Sequence, residues 1–207
     1  MLSQGGLLFS ITIAVTCATA FDNVLTLAWL GPDAAAQMAV AMRVCITATG
    51  MIGAVTQPFW PGFADALALN DAGWARRMLL AGMAAVLALS VSGSALLVAF
   101  GAPVLHFWLH QNLHISAALL WAMAAYITGL TLINVPGALL NAARRLKPQI
   151  VLLALAAIAG FGLKFLAARA FGVPGILMVS PALWFILVAP LYLWWAWRTV
   201  TCRCAPH

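Results

Sequence analysis

Residues 57–80 read QPFWPGFADALALNDAGWARRMLL. The chain is 65% hydrophobic and 7% charged, yet this stretch carries Pro58, Pro61, Asp65, Asp71, Arg76 and Arg77. The only acids in the sequence are Asp22, Asp33, Asp65 and Asp71, so half of them fall here. Each proline removes a backbone donor and strains the preceding turn. The prolines are therefore expected to end a helix, and residues 62–73 to form a short amphipathic connector at a membrane surface. Two long apolar runs flank it. A chain built as apolar runs broken by such punctuation is a bundle of membrane helices.

Composition supports this. Soluble domains carry roughly a quarter charged residues, and a mean hydropathy of +1.06 leaves too little polar surface to clothe a soluble globule. A spanning helix needs roughly 20 mostly apolar residues, and the sequence offers six such windows, at about 5–30, 34–57, 78–101, 115–140, 149–168 and 174–197. The runs are continuous rather than alternating, which excludes a β-barrel. The fold class is all-α: a polytopic bundle of about six transmembrane helices, one transmembrane domain over 1–207 with a short cytoplasmic tail at 198–207. The start MLSQGGLLFS lacks a basic n-region, so the first segment is expected to stay as a span.

Gly31-Pro32-Asp33 reads as a tight turn between the first two spans. Gly101 and Pro103 are expected to end the third span ahead of a connector at 102–114. Arg144, Arg145, Lys147 and Pro148 close the fourth, and Phe171 to Gly175 turn the fifth into the sixth. The side bearing the N-terminus holds Arg76, Arg77, Arg144, Arg145, Lys147, Arg198 and Arg203, and the other connectors hold Arg169 alone. Lys/Arg-rich loops face the cytoplasm, so both termini are expected there. Interfacial aromatics are expected at Trp74, Phe107, Trp108 and from Trp184 to Trp197. The basic residues form no continuous stripe, so the net charge of +6 predicts no nucleic-acid partner.

Charge inside a membrane is costly and marks function or pairing. Asp22 lies beyond the middle of span one and Arg43 near the middle of span two. A turn at 31–33 brings them to similar depth, so an Asp22–Arg43 salt bridge locking the hairpin is one reading. In another, Arg43 faces a cavity and engages a pyrophosphate or sugar acid, with Asp22 as a cation- or proton-coupling site. In a third, one of the two snorkels. Lys164 either snorkels along its aliphatic stem or contacts substrate. Asn134 and Pro136 interrupt span four, and Pro181 and Pro190 interrupt span six. Such breaks free carbonyls that line a cavity or act as bends, which makes Asn134 a candidate contact and Pro136, Pro181 and Pro190 candidate hinges. Ser90, Ser92, Gly93 and Ser94 suit close helix packing.

No metal or cofactor is expected. His106, His110 and His114 share a spacing of four but have no acid or fourth ligand beside them. Cys17 and Cys45 read as packing residues, and Cys202, Cys204 and His207 fall short of a zinc set. No DxD, HExxH or Ser-His-Asp arrangement is visible, so no enzyme is expected.

Three ordered stretches carry a family resemblance. The segment Pro58-Phe-Trp-Pro-Gly-Phe-Ala-Asp-Ala66 followed by Trp74-Ala-Arg-Arg77 resembles the P-x-W-P-x-[FY]-A-[ED]-A and W-x-R-R pattern of the polysaccharide-exporter, or lipid-linked oligosaccharide (O-antigen) flippase, family. DNVLTLAWLGPDAAAQMAVAMRV at 22–44 resembles its helix, Leu-Gly turn, helix hairpin. NAARRLKPQ at 141–149 and FGVPG at 171–175 resemble its N-x-x-[GR]-x-x-[KR]-x-Q turn and its glycine corner. That family belongs to the multidrug/oligosaccharidyl-lipid/polysaccharide exporter superfamily, whose members place two six-helix lobes around a central cavity. The matching stretches resemble the second lobe. The resemblance implies a multi-pass protein of the bacterial inner membrane that flips an undecaprenyl-pyrophosphate-linked oligosaccharide for O-antigen or polysaccharide biosynthesis. Its partners would be the lipid bilayer, that substrate, and a second six-helix lobe on another chain or in a homodimer. Two other readings stay open: a truncated, non-transporting membrane subunit or remnant, and a drug exporter acting as a dimer.

Overall fold

The computed structural model describes residues 21–109 and 116–201. Every regular element among them is helical. They are α1 (the described part, 21–30), α2 (Pro32–Thr56), α3 (Phe59–Ala68), α4 (Ala72–Leu109), α5 (Ala117–Ala142), α6 (Leu146–Leu183) and α7 (Ala189–Thr201), with a π-helical turn at Trp184–Val188 between the last two. Among the described residues, four stretches are long and apolar enough to cross a membrane: Pro32–Ala68, Ala72–Leu105, Ala117–Ala142 and Leu146–Thr201.

The last of these has 56 residues, about 84 Å if straight and far beyond the roughly 30 Å of a bilayer core. It is not straight. Gly172 has φ 64 and ψ −141, a backbone region open essentially to glycine alone. The chain folds back there. A Cβ on Gly160 would lie 3.2 Å from Leu183 Cδ1, and one on Gly175 would lie 2.5 Å from the Ala167 carbonyl oxygen. The corner expected at 171–175 thus forms, on the conformational freedom of Gly172 and the missing side chain of Gly175.

Helix α5 is the central element and is buried on most sides, whereas α4 and α6 bury one narrow stripe each. Along α4 that stripe runs Ala75, Leu79, Val86, Ser90, Ser94 and Leu105. Beyond Arg77 the remaining surface is mostly apolar and exposed, as a lipid-facing helix requires. Cross-helix contacts fix the directions. Ser94 Oγ reaches the Ala124 carbonyl at 3.3 Å and Thr128 Oγ1 at 3.2 Å, and Gly82 closes on Val135, so α4 runs antiparallel to α5. The Cys45 thiol faces the Met123 carbonyl at 3.9 Å while Gly53 and Thr56 line one cleft with Gly137 and Asn141, and Gly129 and Gly137 meet Trp184 and Tyr192, so α2 and α7 run parallel to α5.

Those directions gather Arg76, Arg77, Arg144, Arg145, Lys147 and Arg198 at one end of the bundle, with Arg169 and the 31–33 turn at the other. At the basic end Arg76 lies over the Trp197 ring at 4.7 Å, and Arg198 over Trp194 at 4.2 Å. The first of these cation–π contacts ties the start of α4 to the end of α7, and the second lies within α7.

Several expectations are corrected. Helix α4 does not stop at Gly101 and Pro103 but continues to Leu109. Gly101 serves packing instead, since a Cβ there would lie 2.9 Å from Leu120 Cδ2. Asn134 and Pro136 do not interrupt α5, which is continuous from Ala117 to Ala142 with Pro136 buried inside it. Pro61 sits in the first turn of α3, and the chain breaks between Thr56 and Phe59. Of the small residues in α4, Ser90 and Ser94 face inward while Ser92 and Gly93 face outward. Trp184 packs inside, edge-on to Tyr126 with centroids 4.9 Å apart, rather than at an interface.

The 62–73 connector is more ordered than its sequence implies. Phe63 is fully buried between Phe59 and Trp74, both edge-on to it. Asn70 has φ 54, and the Asp71 N–H donates to the Ala66 carbonyl at 2.9 Å, closing α3 with a left-handed cap. Asp71 then caps α4, its Oδ1 accepting from the Trp74 N–H at 2.8 Å. Arg144 plays Asn70's part at the end of α5, with φ 59 and the Arg145 N–H bonded to the Leu140 carbonyl at 2.9 Å.

Candidate functional site

Three polar features interrupt the apolar bundle. The first is a buried ion pair. Lys164 Nζ donates to Asp22 Oδ1 at 2.6 Å, with both side chains almost wholly buried. Lys164 lies on the inward stripe of α6 with Leu152, Ala156, Gly160 and Ala168. Trp29 meets Phe165 edge-on at 5.1 Å, and Arg169 covers the other part of that ring at 4.3 Å, so α1 is held along α6. The Asp22 carbonyl accepts from the Thr26 hydroxyl at 2.7 Å, while Asn23 Oδ1 is buried without a partner.

This corrects the expected Asp22–Arg43 bridge, and Lys164 does not snorkel. Asp22 is neutralised from within by an ammonium group, across 142 residues of chain. The register of α6 was the missing signal: a repeat of four from Ala156 through Gly160 puts Lys164 on the small, inward face.

The second feature is Arg43 itself. It is exposed, twelfth of the 25 residues of α2, and among the described residues it makes no ion pair. Ala36, Ala39, Thr47, Gly50 and Ala54 share its exposed face, while Met38, Met42, Cys45 and Ile52 face the core. Met42 and Arg43, adjacent in sequence, therefore point to opposite environments.

The third is a cleft of about 310 Å³ between α2, α3, α5 and α7. Gln57, Trp60, Asn134, Asn141 and Tyr192 line it, over a floor that includes Gly53 and Gly137. Asn134 and Asn141 lie seven apart on one face of α5. Asn141 Oδ1 accepts from Gln149 Nε2 at 3.1 Å, and the same amide donates to the Arg145 carbonyl at 3.1 Å, which fixes the start of α6 against the end of α5. Asn134 is thus in a polar site, apart from Arg43 and from the Asp22–Lys164 pair. Pro136 adjoins this site on α5. Pro181 packs against Gly129, and Pro190 follows the π-helical turn, where the Ala189 N–H bonds to the Trp184 carbonyl.

His110, His114, Cys17, Cys202, Cys204 and His207 lie outside the described residues, as does the side chain of His106. No family model, curated protein or solved structure matches the chain.

Proposed function

We propose that this chain is a six-helix lobe of a membrane exporter, with both termini cytoplasmic, that flips an undecaprenyl-pyrophosphate-linked oligosaccharide across the bacterial inner membrane. The family resemblance of residues 22–44, 57–77 and 141–178 supplies the substrate class. Arg43 is the observation that carries the reading.

Arg43 lies about 16 Å along α2 from Pro32 and about 20 Å from Thr56, too far to snorkel to either surface. Facing hydrocarbon, its charge would cost about 3 kcal/mol or more. Asp22, the acid nearest in depth, is held by Lys164. The remaining choice is a polar space beyond this lobe with an anionic occupant, and a guanidinium is the side chain best matched to phosphate oxygens. The small exposed residues beside Arg43 let a second lobe, on another chain or a second copy, close around that space. Rocking of two lobes would then carry the head group across while the lipid tail stays in the bilayer.

The test is polymer export in a bacterial strain lacking its O-antigen flippase, with this chain expressed alone and together with a first-lobe partner. Export is expected in at least one case, to fall sharply with Arg43→Gln and to persist in part with Arg43→Lys. Export that is indifferent to Arg43→Gln contradicts the proposal.

A further inference from the structure

The basic end of the bundle holds two guanidinium groups against aromatic rings. Arg76, at the start of α4, lies over the Trp197 ring at 4.7 Å, and Arg198 lies over Trp194 at 4.2 Å. Trp194 and Trp197 are three apart on α7, so their side chains are neighbours on one helix face. The two arginines therefore stand on a single patch at the seam of α4 and α7, and all four side chains are exposed. A ring covers the face of a guanidinium and leaves the N–H groups at its edge free to donate. Among the described residues neither arginine makes an ion pair.

The surroundings favour an anion with an apolar tail. Arg77 is exposed beside Arg76, and Arg144, Arg145 and Lys147 are exposed at the same end. The acids described there are Asp65 and Asp71, and the second is engaged as the cap of α4. Leu80, one turn deeper on the same face of α4 as Arg76, is 52% exposed, and the Trp194 ring, one turn deeper than Arg198, is 48% exposed. A ligand at this seam meets arginine donors on its water side and apolar surface on its membrane side.

We propose that the α4–α7 seam binds the phosphodiester head group of an anionic phospholipid from the leaflet at this end. The guanidinium fork matches phosphate oxygens in shape and charge, and basic sites between membrane helices take such head groups. An acyl chain then lies along Leu80 and Trp194, a contact that a free phosphate does not make. A zwitterionic head group brings a cation of its own toward the arginines, which repel it. The inference rests on the chain crossing a membrane and not on the transport reading, because Arg43 takes no part in it.

The test is native mass spectrometry of the full chain released from nanodiscs of phosphatidylglycerol and phosphatidylcholine in equal parts, with matched acyl chains. Wild type is expected to retain phosphatidylglycerol about tenfold over phosphatidylcholine. Arg76→Gln with Arg198→Gln should abolish the preference, and lysine at both positions should keep part of it. Arg198→Gln alone, which leaves the contact between α4 and α7 in place, should lose part of it. Arg145→Gln with Lys147→Gln removes the same charge away from the seam and should keep most of the preference. Equal retention of the two lipids by wild type overturns the inference. So does an equal loss in the two glutamine pairs, which would assign the preference to net charge, or displacement of the retained lipid by inorganic phosphate. Arg43→Gln should leave the preference unchanged, so failure here and failure of the transport reading register separately.

Discussion

Lys164 Nζ meets Asp22 Oδ1 at 2.6 Å, joining α1 to α6 inside the bundle. Removing one member of a buried pair leaves an uncompensated charge, at a cost of about 3–5 kcal/mol. Removing both leaves only altered packing.

Stability of the detergent-solubilised chain should therefore fall steeply for Lys164→Met and less for Asp22→Asn, whose amide can still accept a hydrogen bond. The double variant should recover most of the loss. Unfolding midpoints of the four proteins give the coupling. Additive losses would show that the two groups do not depend on one another.

The corner at 171–175 should tolerate no side chain. Gly172→Ala forces a backbone conformation that costs about 1–3 kcal/mol, and Gly175→Ala meets the Ala167 carbonyl oxygen. Gly162→Ala, with nothing within 4 Å of the added methyl, should instead stabilise, by up to about 1 kcal/mol. The comparison is read in the same unfolding measurement, and equal effects at all three positions would refute the corner.

Asp71→Ala should cost about 1 kcal/mol through the lost cap. Its signature is local. Amide exchange should speed up at Trp74 and its neighbours at the start of α4, with little change in α5.

Arg43→Gln should leave stability within about 0.5 kcal/mol of wild type, because the side chain is exposed and unpaired within this lobe. An unfolding midpoint that falls as far as that of Lys164→Met would place Arg43 in the structural core of the protein instead.

Much of this architecture was legible in the sequence. The apolar runs, the 31–33 turn, the basic loop at 144–148 and the glycine corner follow from hydropathy and from the backbone chemistry of glycine and proline. What was not legible depends on neighbours. The partner of Asp22 is set by which face α6 turns toward α1, and depth alone made Arg43 look equally suitable. Gly101 and Pro103 read as a stop by local rules, but packing against Leu120 carries α4 past them. The connector after Pro58 read as a short surface segment because its charges drew attention from Phe63, whose burial requires Phe59 and Trp74 to come together. The cleft was represented only by Asn134. Asn141 follows it by two turns on α5, but Gln57, Trp60 and Tyr192 come from the end of α2, from α3 and from α7, and no spacing rule links those to it.

Binding of undecaprenyl pyrophosphate, measured by native mass spectrometry from nanodiscs, tests the role of Arg43 most directly. The account predicts that wild type retains this lipid over uncharged undecaprenol, that Arg43→Lys keeps part of the preference, and that Arg43→Gln loses about tenfold or more. Equal retention of the pyrophosphate lipid by wild type and Arg43→Gln would contradict it.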